Sequence, residues 1–381
     1  MKLTIDKNVL SNAVQTASRF VNPKNPIPVL QGVLFEAEGS TLRLSATNLE
    51  IGIRKSVEAE VQETGRVVVP AKQFAELVKK LPDGNLTILT NPDITQITIQ
   101  YGLFSEFTMM VMNAEEYPLL PVPETEDKIK LPSGVFKEMI RQVIIAVDDD
   151  DSPRPVFRGA LLSNEDEYLT LAGTDTHRLA VSKYRLPIMA KVPADTIIPR
   201  YTLIELGRAL DNEKEQENLA VIASQNQIAF TFGETAIISR LIEGKYPNFR
   251  SVVPNKYSTL VKVKREPLLE SLERAQLLAK SASEVIPTKL WIRDGKVKVT
   301  VQTQEGKLAE ELDVAFEGEP LIIGFNSDLL VEGLKTIDSE EVLLKLNGSF
   351  GPAVLQPMNS DDQLYLVLPI RMPSEAFNEA A

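Results

Sequence analysis

The chain has 381 residues, a formal charge of −12, no cysteine and one histidine, His177. These counts exclude disulfides, thiolate metal sites and any multi-histidine centre, so the expected set of metals and cofactors is none. No apolar run reaches membrane-spanning length and no basic-then-apolar leader opens the chain at Met1 and Lys2, which predicts a soluble cytoplasmic protein of two or three domains with no membrane contact.

In chain order, Leu10, Ala13, Val14 and Ala17 mark a first helical stripe, and Lys24 follows in a loop. Leu42, Leu44 and Ala46 alternate as in a strand. Phe74, Leu77, Val78 and Leu81 mark a second helix, entered at Pro70 and stopped at Pro82, Asp83 and Gly84. Residues 96–101 alternate again, and the polar, proline-containing stretch 122–127 reads as a linker. Ser133 is a candidate N-cap for a helix carrying Phe136, Ile140, Val143 and Val147. Another helix carries Leu203 and Leu206, and residues 253–256 form a second linker. Pro267 suits the first turn of a helix with Leu268, Leu272 and Ala275. Asp294 and Gly295 signal a hairpin turn ahead of the alternating Val297, Val299 and Val301.

Several of these signals recur in the same order. Residues 70–81 return as 199–210 and, more faintly, as 326–337, a spacing of about 127 to 129 residues that is domain-sized rather than solenoid-sized. Leu10, Ala13 and Val14 match Phe136, Met139 and Ile140, then Leu268, Leu269 and Leu272. Glu116, Tyr117 and Pro118 match Lys245, Tyr246 and Pro247. The reading is an α+β chain of three similar domains, at 1–125, 126–254 and 255–381, the last with a short acidic C-terminal extension from Pro373. Each domain packs two helices on one face of an antiparallel sheet of about eight short strands. Triplication favours a scaffold over a single catalytic pocket. The absence of a GxxxxGK[ST] or GxGxxG fingerprint argues against nucleotide hydrolysis.

The net charge argues against nucleic acid, but it is an average. Lys72, Lys79 and Lys80 lie opposite the Phe74 stripe, Lys137 and Arg141 opposite Phe136 and Ile140, and Arg200 and Arg208 beside Leu203 and Leu206. Any one such face reads as solvated; recurrence at the equivalent place reads as a shared basic surface. In the third repeat Glu266, Glu270 and Glu273 offset Arg265, Arg274 and Lys280. With aromatics at 6% and no base-reading motif, such a surface suits loose, sequence-blind phosphate contact.

Five segments are specific in combination: 1–5 (MKLTI), 25–30 (NPIPVL), 173–181 (GTDTHRLAV), 246–250 (YPNFR) and 365–371 (YLVLPIR). Together they resemble the bacterial DNA sliding clamps, the beta subunits of DNA polymerase III, over residues 1–372 or so. The resemblance implies the DNA clamp fold and a head-to-tail homodimer that closes six domains into a ring around double-stranded DNA, helices inside and sheets outside. It implies a non-catalytic processivity factor whose inner surface includes Lys24, Lys72, Lys79, Lys80, Lys137, Arg141, Arg200 and Arg208. Phe107, Leu277 and Leu278 occupy the matching dimer-interface positions, their alternative being ordinary core.

The resemblance also implies a pocket for short linear motifs of the replicative polymerase subunit, the clamp loader, other polymerases and repair proteins. The matching positions are Arg154, Phe157, Thr174, Thr176, His177, Arg178, Leu179, Pro247, Val252, Val367, Leu368, Pro369, Ile370, Arg371 and Met372, apolar walls with Arg154 and Arg178 as polar anchors. Two other readings of His177 stand beside this one: a strand-end histidine, or a base paired with Asp175 in a hydrolase, for which no nucleophile is evident. A monomeric protein-binding scaffold is the remaining alternative. Ser251 departs from the arginine some members carry in the pocket wall. The acidic run 148–151 departs too, and reads as a solvated loop rather than a metal site.

Overall fold

Asp6 ends the first strand and starts the first helix: its carboxylate accepts from Asn8 N at 2.8 Å and Val9 N at 3.1 Å, satisfying donors that a helix leaves open. That helix is α1 (Lys7–Ser18), followed along the chain by α2 (Ala71–Lys80), α3 (Ser133–Val143), α4 (Arg200–Leu210), α5 (Arg265–Ala279) and α6 (Ser327–Lys335). This computed structural model describes residues 1–123, 128–149, 151–165, 167–187, 192–211, 217–279 and 286–372. The extension from Pro373 to Ala381, Lys280, Asp150 of the acidic run and residues 124–127 of the first linker lie outside the described residues.

The helical stripes bury as their spacing demands. Leu10, Ala13, Val14 and Ala17 are inaccessible, as are Phe136 and Val143, Leu203 and Leu206, and Leu272 and Ala275. In α2 the buried line is Ala71, Phe74 and Val78, and Leu77 sits half-buried at its edge, a small departure from the expected stripe. Phe35 meets Phe74 edge-on at 5.2 Å between ring centres, and Phe136 meets Phe230 at 5.6 Å, so α2 and α3 are each keyed to a strand by an aromatic pair. At the expected hairpin, Asp294 and Gly295 have φ of 51° and 72°, as a two-residue primed turn requires, and Arg293 stands opposite Lys296.

The described residues group into two compact units, 1–137 with 190–242 and 138–189 with 243–381. Neither coincides with a repeat; the central repeat is divided between them. In the first unit a five-stranded sheet runs Glu60–Glu63, Lys2–Asp6, Asn85–Thr90, Gln96–Tyr101, Ser105–Met110. Its eight-stranded sheet joins two repeats, because Thr235–Arg240 pairs antiparallel with Ile51–Glu58, Thr235 opposite Lys55 and Ser239 opposite Ile51. In the second unit the same device recurs. Arg178–Arg185 pairs antiparallel with Gln363–Val367, Arg178 opposite Val367 and Ser182 opposite Gln363. A four-stranded sheet of that unit runs Lys307–Asp313, Lys296–Gln302, Thr288–Arg293, Leu321–Phe325.

Helices form rows within each unit. In the first, α1 packs on α2, the Tyr201 hydroxyl of α4 donates to the Arg19 carbonyl that ends α1, and Lys137 of α3 pairs with Asp211 at 2.7 Å. In the second, Arg141 of α3 donates to the carbonyls of Lys335 and Thr336, both at 3.1 Å, and to Asp338 at 2.7 Å, while α5 and α6 pack side by side. Glycine is required at Gly333 in α6, where a Cβ would stand 2.4 Å from Cδ1 and Cε1 of the fully buried Tyr365. Gly333→Ala gains about 1 kcal/mol of helix propensity but overpacks by about 1–3 kcal/mol. The expected net result is a lower melting temperature, read by circular dichroism; an unchanged or raised value would show that the ring yields.

Candidate functional site

The strand Tyr168–Thr174 returns as Arg178–Arg185 through a turn that three side chains hold rigid. Asp175 Oδ1 accepts from the backbone N–H of His177 at 2.9 Å and of Arg178 at 3.0 Å. Its Oδ2 accepts from Arg178 Nε at 2.8 Å. Thr174 Oγ1 donates to the Arg178 carbonyl at 2.6 Å and accepts from Thr176 N at 3.2 Å. These bonds hold Thr176 at φ 78°, a conformation costly for a β-branched residue and sustained here by its neighbours. The turn is also tied to α6, because the Arg178 guanidinium reaches Glu332. Burial works against the Arg178 charge, but the groups around it, including Glu332 and Asp175, outweigh burial and hold the guanidinium firmly protonated.

Beside this turn lies a cleft of about 240 Å³, lined by Phe157, Thr174, Thr176, His177, Arg178, Leu179, Pro247, Asn248, Phe249, Val252, Leu366 and Leu368. The strand pairing builds it: Leu179 stands opposite Leu366, and Leu368 N donates to the His177 carbonyl at 2.9 Å. Two short 3₁₀ turns, Pro155–Arg158 and Phe249–Val252, bring Phe157 and Val252 to the rim. Phe157 is braced edge-on by the buried Tyr246 at 6.4 Å, and burial pushes the Tyr246 phenol well above its usual pKa. Val252 and Leu368 remain 55% and 42% exposed, which leaves an apolar rim facing solvent.

The structure brings together most of the sequence-derived pocket positions, from Phe157 and the Thr174–Leu179 turn to Pro247, Val252 and Leu368. It leaves others outside the lining. Arg154 is exposed and lies over the Phe157 ring at 5.8 Å. Val367 is buried within its strand, Pro369 and Ile370 run on past the cleft, and Arg371 is exposed. Met372 packs on Gly324 instead. The polar anchor expected of Arg178 is already spent on Asp175 and Glu332. Sequence reasoning missed Asn248, Phe249 and Leu366. The first two belong to the YPNFR run, and Leu366 has the i, i+2 relation to Leu368 that marks one face of an extended segment. A catalytic Asp175–His177 pair is not formed: the carboxylate binds the backbone N–H of His177 and the guanidinium of Arg178.

The basic positions divide. Lys24, Lys72, Lys79 and Lys80 are exposed, and among the described residues no ion pair holds them. Lys137 is paired with Asp211, Arg208 with Glu205 at 2.5 Å, and Arg200 is half-buried. Arg141 departs most from the expected free cation, its fork being filled by Glu138, Asp338 and two carbonyls. Of the interface positions, Phe107 is 42% and Leu277 74% exposed, and Leu278 is half-buried, so core packing does not account for the first two. Phe107 lies on Ser105–Met110, an edge strand whose neighbours Leu103, Phe104 and Met110 are also exposed.

Among the described residues no group of acidic or histidine side chains could hold a metal, and no helix is long and apolar enough to cross a membrane. Family models of the DNA polymerase III beta subunit match in tandem: the N-terminal domain over residues 1–121, the central domain over 130–248 and the C-terminal domain over 250–371. The chain is 33% identical to a beta sliding clamp of Halalkalibacterium halodurans, over 97% of this chain and all of that one. It is 32% identical to that of Staphylococcus aureus, over 97% and 99%. A sliding clamp structure from Bacillus subtilis superposes with a TM-score of 0.92 at 28% identity, covering 98% of this chain and all of that one. A Pseudomonas aeruginosa clamp bound to griselimycin gives 0.91 at 27% identity with the same coverage. Three consecutive domain matches and relatives aligned along their full length place this chain in the family of bacterial DNA polymerase III beta subunits, the sliding clamps.

Proposed function

We propose that the chain is the processivity clamp of a replicative DNA polymerase: a non-catalytic homodimeric ring that encircles duplex DNA, slides without sequence preference and tethers polymerase and repair proteins. The tandem of three clamp domains carries this reading. Domain limits of 1–125, 126–254 and 255–381 follow from it, as does a cytoplasmic location, where replication takes place. Retention by enclosure explains how a chain of charge −12 can serve DNA: capture does not rest on salt-sensitive phosphate contacts, and a mildly basic lining suffices.

The exposed Lys24, Lys72, Lys79 and Lys80 are the strongest candidates for that lining, and the apolar edge around Phe107 for a head-to-tail contact with the α5 end of a second copy. The cleft beside His177 is the candidate motif site. Its apolar walls and exposed Leu368 and Val252 suit the hydrophobic side chains of a short linear segment, with the Asp175 turn as its rigid wall.

Loaded onto nicked circular DNA by a clamp loader, the protein should stay bound and be released when the circle is cut; equal retention on both forms sinks the ring, as does a monomer mass at all concentrations by light scattering. Leu368→Ala should weaken a peptide copying the polymerase's clamp-binding segment by roughly tenfold, the worth of one buried leucine side chain, with the dimer intact by light scattering. Asp175→Ala should weaken the same peptide and also lower the melting temperature, since the half-buried Arg178 is deprived of a partner; unchanged fluorescence polarisation in both would remove the cleft. Replacing Lys72, Lys79 and Lys80 with alanine should flatten the salt dependence of duplex binding by about 0.9 for each phosphate no longer neutralised, while Arg141→Ala should cost stability and leave that slope alone.

A further inference from the structure

The four-stranded sheet of the second unit has one face that the clamp reading leaves without a role. Leu290, Ile292, Val297, Val299 and Val301 are buried on its inner side. Alternation along the strands therefore turns Lys289, Trp291, Arg293, Lys296 and Lys298 to the other. The register clusters them: Trp291 stands opposite Lys298, and Arg293 opposite Lys296. They line the open cleft of about 630 Å³ on this sheet. The indole Nε1 of Trp291 is buried and meets no acceptor among the described residues. A local carboxylate shows what the face accepts. Glu311 from the next strand lies 3.2 Å from Lys296 Nζ and 3.8 Å from Lys298 Nζ. With Lys307 also in the lining, and Asp294 beside Glu311, cationic side chains outnumber carboxylates on this face although the whole chain carries −12.

The face adjoins the candidate motif cleft. From Leu368 in that cleft the chain runs on so that Ile370 N donates to Gly324 O at 2.8 Å, and Met372 Sδ lies 2.8 Å from where a Gly324 Cβ would stand. Gly324 is opposite Lys289 in the sheet, on the same face. The chain from Leu368 to Met372 spans at most about 17 Å. A segment seated in the cleft thus reaches the basic face with a few flanking residues.

We propose that this face is a docking site for an acidic peptide: the aspartate- or glutamate-rich flank of a partner segment whose apolar motif sits in the cleft. The link to the cleft rests on the clamp reading; the affinity of the face for carboxylates does not. Carboxylate is favoured over nucleic acid because one indole makes no stacking track and the face already holds a carboxylate, Glu311, against Lys296 and Lys298. Cleft and face on one partner act as two linked sites, so weak ion pairs at the second raise the affinity of the first.

Trp291 is the chain's one tryptophan, so its emission reports occupancy of the face directly. The intact protein is titrated with an oligoglutamate peptide at low and high salt, and with oligothymidylate in parallel. The expected result is a saturable emission change at low salt, weakened by added salt and by about fivefold or more in Lys296→Gln/Lys298→Gln, which keeps both aliphatic stems and the apolar inner face, with folding checked by circular dichroism. Leu368→Ala should leave oligoglutamate binding as it was. A cleft peptide extended by glutamates should bind more tightly than the unextended one, and forfeit that gain in the double variant. No saturable change, equal affinity in the double variant, no gain from the extension, or tighter binding of oligothymidylate overturns the proposal. Oligoglutamate binding with no binding of the cleft peptide leaves the face assigned to carboxylates, and overturns the motif-cleft reading and the link to it.

Discussion

The antiparallel pairing of Arg178–Arg185 with Gln363–Val367 is the constraint on which the second unit depends. It joins strands from two repeats into one hydrogen-bonded sheet, so their junction is a ladder rather than a linker. Each bond contributes only about 0.5–1.5 kcal/mol net, but together they also cover two strand edges that would otherwise invite foreign strands. The pairing puts Leu366 and Leu368 beside Leu179 and His177, which is how a cleft arises from residues almost two hundred positions apart. The first unit repeats the device where Thr235–Arg240 meets Ile51–Glu58. In both places the repeats are fused edge to edge, and the compact units therefore cut through the central repeat.

A second layer of restraint comes from α6. It receives Arg178 through Glu332 and the Tyr365 hydroxyl through the Leu329 carbonyl, and it makes room for the Tyr365 ring at Gly333. The turn that walls the cleft is thus fixed from below by a helix and from the side by its own Asp175. Burial raises the Tyr365 phenol above its usual pKa, so it stays a neutral donor through the physiological range. A wall assembled this way is pre-organised, which lowers the cost of capturing a flexible segment. The one histidine is committed in its backbone on both sides, its N–H to Asp175 and its carbonyl to the N–H of Leu368.

Much of the architecture was legible because it follows from periodicity. The stripes at Leu10, Phe136 and Leu272, the Asp294–Gly295 turn and the alternating Val297–Val301 strand report local geometry, and local geometry is what residue spacing encodes. The site was legible only in part. The Thr174–Leu179 turn could be singled out as a motif, yet nothing in the spacing says that Arg178 is engaged by Glu332 or that Met372 turns away to Gly324. Both depend on a helix and a strand far along the chain. The basic residues show the same divide. Lys72 and Arg141 look alike in sequence, but one is exposed and the other has its fork filled by groups brought from residues 335–338.

The sequence by itself determined the triplication, the helix and strand content of each repeat, the exclusion of disulfides and histidine metal centres, and the family. All of these rest on residue identity and short-range order. Tertiary structure alone decided which repeat edges pair, where the compact units divide, which cations stay free, and that Trp291 stands among lysines on an open sheet face. The physical reason is that charges and edges acquire their meaning from neighbours distant in sequence, and only the folded chain brings those neighbours within hydrogen-bonding and Coulombic reach.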